Sequence, residues 1–140
     1  MAQFATELFA HFVYSSKLSY HDLLEREEEL KIFASRLMED QGGEYLHFEA
    51  LGDALRAQCV FSGYDEDLFH ALCDALAPAM DDHVEARLLF VSKDLDHLHL
   101  YTISKGKWQE SSLILPLGPI GKALAEEDAP PPKTPRKKKA

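Results

Sequence analysis

Between Ala86 and Leu115 the chain is written as three short runs separated by turn residues, and this segment limits the fold more than any other. Ala86 to Ser92 holds the continuous apolar stretch Leu88-Leu89-Phe90-Val91, which suits a central strand. Asp94-Leu95-Asp96 then reads as a turn. His97 to Ser104 alternates, with Leu98 and Leu100 on one face and His97, His99, Tyr101 and Ile103 on the other. Lys105-Gly106-Lys107 is a hairpin turn, and Trp108 to Leu115 is the third run. Three consecutive strands joined by tight turns form an antiparallel meander.

The first half of the chain fits a helical period. In Gln3–Tyr14 the residues Phe4, Ala5, Leu8, Phe9, Phe12 and Val13 recur at helical spacing. Ser19 is placed to cap a second helix reaching Asp40, with Asp22 three residues later and Gly42-Gly43 as its stop. The stretch Glu25-Arg26-Glu27-Glu28-Glu29 has no apolar residue and is expected in solvent. Phe48, Leu51, Leu55 and Cys59, about one turn apart, predict a third helix over Glu44–Val60. Asp65-Glu66-Asp67 opens a fourth, where acids meet the positive end of the helix dipole, and Pro78 ends or kinks it. A last short helix is expected over Ile120–Glu127. The fold class predicted is therefore α+β: four N-terminal helices, a three-stranded antiparallel meander, and a short C-terminal helix.

Charge divides the chain in two. Of its 15 basic residues, five lie beyond Ala129, namely Lys133, Arg136, Lys137, Lys138 and Lys139, and none of its 24 acidic residues does. The tail thus carries +5 and the preceding domain, residues 1–128, carries −14. Prolines at 130–132 and 135 predict an extended, solvated tail. Such a tail offers weak, salt-sensitive attraction to nucleic acid or an acidic partner, whereas the domain itself repels phosphate backbones. Helices before a hairpin also raise the possibility of a winged helix. The helix that would read the groove contains no Lys or Arg from Tyr64 through Met80, which argues against it.

Two cysteines, Cys59 and Cys73, are too few for a secreted disulfide scaffold and are expected to be reduced, buried and cytoplasmic. No run is long and apolar enough to span a membrane, and no signal peptide is expected. No cofactor is expected, since the sequence lacks GxGxxG, GxxxxGK[ST] and the GxSxG elbow. Leu68–Leu124 loosely resembles the first half of a GAF domain, down to the step Pro116-Leu117-Gly118-Pro119-Ile120-Gly121. The likeness covers under half the chain and rests on common patterns, so it assigns no family.

Three functional expectations follow. The first is a protein-interaction module, in which Phe4, Leu8, Phe9 and Phe12 contact a protein partner or a second copy in a homodimer. The second is a small-molecule-binding domain using the sheet face with His97, His99 and Tyr101. The third is a metal-dependent enzyme in which His97 and His99, two residues apart on a strand, share an ion. An enzyme is the less favoured reading, because the expected buried thiols and helix-end acids give catalysis no foothold.

Overall fold

A computed structural model describes residues 4–114. Six strands form one antiparallel sheet: β1 (Thr6–Tyr14), β2 (Glu44–Ala50), β3 (Ala54–Phe61), β4 (Val84–Ser92), β5 (His97–Ser104) and β6 (Lys107–Ile114). Two helices, α1 (Tyr20–Asp40) and α2 (Glu66–Leu76), join them, and a 3-10 turn at Ala77–Ala79 follows α2. The strand order is β2-β3-β1-β4-β5-β6. The protein is α+β, but the expected four N-terminal helices are corrected to two, and the expected meander is half of a larger sheet.

The predicted first helix, Gln3–Tyr14, is the central strand β1. Its residues Thr6, Leu8, Ala10, Phe12 and Tyr14 are buried, while Glu7, Phe9, His11 and Val13 face outward. Because apolar residues stand on both faces, the pairs Leu8/Phe12 and Phe9/Val13 also fit a helical period. The density of aromatic and β-branched residues tips the segment to strand, where such side chains pack against both neighbouring strands. The predicted third helix, Glu44–Val60, is the hairpin β2–β3. Leu55, Ala57, Cys59 and Phe61 alternate inward. The turn signal is Gly52-Asp53: Gly52 takes φ +88°, and the Leu51 N–H donates to the Ala54 carbonyl at 2.8 Å.

Elsewhere local chemistry sets the boundaries as read. The Ser19 hydroxyl accepts from the Asp22 N–H at 3.1 Å and caps α1. The helix ends where the Gly43 N–H reaches the Met38 carbonyl at 2.7 Å. A Cβ at Gly43 would lie 2.8 Å from that same oxygen, so glycine is needed for close approach. Asp65 caps α2 by accepting from the Asp67 N–H at 2.9 Å, and Pro78 sits in the 3-10 turn that ends it. Lys105 and Gly106 both take positive φ, 53° and 78°, the geometry that a tight two-residue hairpin turn requires. The Ile120–Glu127 segment and the tail from 129 lie outside the described residues.

The pairing of β1 with both β3 and β4 makes the chain run β-α-β-β-α-β through its first six elements. β1 and β2 run parallel with β3 between them, and β3 and β4 run parallel with β1 between them. Each parallel pair is joined by a helix. Right-handed crossovers of this kind place both helices on the same face of the sheet. The core lies between that face and the helices: Leu8, Phe12, Leu55, Phe61, Leu88, Phe90, Tyr101 and Ile103 from the strands meet Leu30, Ala34, Met38, Phe69, Leu72 and Leu76 from the helices. Phe69 stacks on Phe90 with ring centroids 3.9 Å apart, seating α2 on the sheet.

One acid expected in solvent is not there. Glu27 is buried against β1, and the Tyr14 hydroxyl donates to its Oε2 at 3.1 Å. Burial and the neighbouring carboxylate hold the Tyr14 hydroxyl in its protonated form far above its ordinary range. Tyr14→Phe removes this donor and leaves a buried carboxylate short of a partner. It is expected to cost about 1–3 kcal/mol in urea unfolding at neutral pH, with Tyr20→Phe, an exposed tyrosine, as the unchanged control.

Cys59 lies on β3 rather than on a helix, and Cys73 lies on α2; both are free and buried. Burial pushes each thiol up to about 12. Neither is expected to react with a disulfide reagent at pH 8 in the native state, and both are expected to react once denaturant is added. Rapid labelling of the native protein would contradict this packing.

Candidate functional site

The structure divides the residues that the sequence grouped together. Of Phe4, Leu8, Phe9 and Phe12, Leu8 and Phe12 are fully buried in the core. They are corrected from contact residues to packing residues, because strand geometry sends them inward under the helices. Phe4 packs edge-on against Tyr45 at 5.5 Å. Phe9 alone of the four projects from the opposite sheet face, with 37% of its surface exposed.

That outer face carries ordered rows, because cross-strand register aligns side chains from strand to strand. Phe9 of β1 lies opposite Leu89 of β4, and Leu89 lies opposite Leu100 of β5. Leu100 is 36% exposed and Leu89 is half-buried. One row along, Val60, Glu7, Val91 and Leu98 stand side by side. On the other flank of the apolar row come Arg56, His11, Arg87 and Thr102. Arg56 is engaged by Glu49 of β2 at 3.3 Å. Beyond these, Val13 is 40% exposed. The result is an apolar strip across three central strands, with an acid on one side and basic residues on the other.

His97, His99 and Tyr101 do share one face of β5, as expected from the alternation, but it is the face under α2. His97 sits at the rim. Its Nδ1 lies 2.9 Å from Asp96 Oδ1, and its backbone N–H donates to Ser92 Oγ at 3.2 Å. Hydrogen bonds from His97 and Ser92 hold the Asp96 carboxyl below the usual carboxylate range. His97 lines an open groove of about 270 Å³ with Ala5, Tyr64, Ser92, Lys93, Asp94 and Asp96. His99 and Tyr101 do not line it.

His99 is 6% exposed. Its Nδ1 lies 2.6 Å from the Tyr64 hydroxyl, which burial, with Glu66 and Asp96 nearby, pushes up to about 12. Its Nε2 lies 3.6 Å from Glu66 Oε1 and 3.8 Å from Glu110 Oε2. Glu110 Oε1 in turn lies 3.0 Å from His70 Nε2. Tyr101 is fully buried with its ring parallel to His99, and its hydroxyl has no hydrogen-bond partner among the described residues. Trp108 Nε1 donates to Asp74 Oδ1 at 2.8 Å, a second tie between β6 and α2. The alternation on β5 groups His99 with His97 and gives no sign of Glu66, His70 or Glu110. The one signal in the sequence is the i, i+4 spacing of Glu66 and His70, which puts both on one side of α2.

The tail residues Lys133, Arg136, Lys137, Lys138 and Lys139 lie outside the described residues. Among the described residues no helix is long and apolar enough to cross a membrane. No family model, no curated protein and no solved structure matches this chain.

Proposed function

We propose that this chain is a protein-interaction module whose contact surface is the outer face of the sheet, and that its partner is a second copy of itself. The observation that carries this reading is the apolar row Phe9–Leu89–Leu100 at the centre of a face that neither α1 nor α2 covers. Solvent-exposed sheet faces ordinarily alternate to polar residues. A large aromatic and two leucines in line across adjacent strands instead make a strip suited to stacking on another sheet.

The flanking charges favour a like partner. A two-fold axis running along the apolar row inverts the order of the rows on the facing copy. His11 then lies over the partner copy's Glu7, with Arg87 one strand to the side, and the apolar strips of both copies superpose. Such an arrangement is isologous and closed, as most homodimers are. Charges placed in this way fix register more than they add affinity.

The untagged protein is expected to show twice its 15.8 kDa chain mass in light scattering after size exclusion, with dissociation on dilution. Phe9→Ser and Leu100→Ser are each expected to weaken the dimer at least about tenfold, the loss typical of a central contact residue. Their circular dichroism should match the parent, since neither side chain belongs to the helix-covered core. A monomer at all concentrations, or a dimer indifferent to both substitutions, would reject this surface.

A further inference from the structure

We infer that His99, Glu66 and Glu110 form a binding site for one divalent first-row transition-metal ion of the zinc type, on the helix-covered side of β5 and β6. The three side chains come from α2, β5 and β6, and their ligand atoms all lie within 4.8 Å of one another. They offer one imidazole nitrogen and two carboxylate oxygens, a donor set that borderline ions accept and that leaves a position open for water or a ligand.

The spacing is informative. At 3.6 and 3.8 Å, the contacts from His99 Nε2 to the two carboxylates are too long for hydrogen bonds. Two donors each about 2.0–2.2 Å from a tetrahedral ion lie roughly 3.3–3.6 Å apart. The two contacts at His99 are thus close to the separation that donors to one ion take. The His99 side chain is only 8% exposed, and its Nδ1 lies 2.6 Å from the Tyr64 hydroxyl, which leaves Nε2 as the ring nitrogen turned toward the two carboxylates.

The surroundings fit the same role. In the tautomer in which Nδ1–H donates to the Tyr64 oxygen, the Nε2 lone pair faces Glu66 and Glu110. Metal-binding histidines are ordinarily oriented by such a bond at the other ring nitrogen. Glu110 is likewise held from behind, since its second oxygen meets His70 Nε2 at 3.0 Å. Glu66, with its side chain 59% exposed, lies on the solvent side and leaves a path for entry.

A different cluster, His21, Asp22 and Glu25, also brings three ligand atoms together, but all three residues are exposed on the first turns of α1. It serves as the control. Isothermal titration of the untagged full chain with Zn2+ is expected to give one equivalent bound, together with a rise in Tm. Glu66→Gln and Glu110→Gln are each expected to weaken that binding at least tenfold, and His21→Ala to leave it unchanged. The Glu66 substitution is exposed and keeps the side chain's shape, so it tests the site even if His99→Ala fails to fold. Mg2+ in tenfold excess should not displace Zn2+, because Mg2+ gains little from an imidazole. The inference is overturned if no stoichiometric Zn2+ binds. It is equally overturned if binding survives Glu66→Gln and Glu110→Gln in a folded protein, if His21→Ala abolishes it, or if Mg2+ displaces it.

Discussion

The rest of the structure depends on β1 lying at the centre of the sheet with β3 and β4 paired on its two sides. Inserting one strand between two parallel pairs requires both helical crossovers to pass over the sheet. Their shared handedness lays them on one face. Burial then follows from strand geometry: Leu8, Ala10, Phe12 and Tyr14 go under the helices, and Glu7, Phe9, His11 and Val13 go to the other side. The core and the outer apolar row are therefore two consequences of one placement. A shift of β1 by a single residue would exchange them, and burial of Glu7 and His11 in place of Leu8 and Phe12 would be prohibitive.

The two faces are specialised differently. The helix-covered side holds the largest fully buried side chains, together with a polar seam where α2 meets β5 and β6. Along that seam Tyr64, Glu66, His70 and Asp74 face His99, Glu110 and Trp108, so a helix and a hairpin distant in sequence are joined by polar contacts. A seam of this kind gives α2 a defined register on the sheet, since each pairing has a directional requirement that apolar packing lacks. The outer side carries fewer contacts and is simpler, with one apolar strip between charges. The apolar strip and the His99 cluster thus lie on opposite sides of the sheet.

Where sequence reading succeeded, the signal was local. Ser19 announces its helix because a hydroxyl can satisfy an N–H three residues on. Lys105-Gly106 announces its hairpin because a two-residue turn needs positive φ. Where it failed, two periods competed. In β1 and in Glu44–Val60, apolar residues three or four apart coexist with apolar residues two apart, and periodicity alone does not choose between them. The choice is made by partners: β1 is hydrogen-bonded on both edges, which an isolated segment cannot reveal. The weak clue was Gly52-Asp53, a turn signal that a continuous helix over Glu44–Val60 has to ignore.

The amino-acid sequence by itself determined the meander of β4, β5 and β6, the limits of α1, the acid-opened start of α2, and which residues of β5 share a face. All of these rest on interactions between residues a few positions apart. Only the tertiary structure decided that β1 is a strand, that the face of His99 is the buried one, and that Glu27 is inside. It also brought Glu66 and Glu110, 44 positions apart, to the same histidine. The physical reason is that each depends on which strands pair or on which side of the sheet the helices cover. That is fixed by crossover handedness and long-range strand pairing rather than by any local preference of the chain.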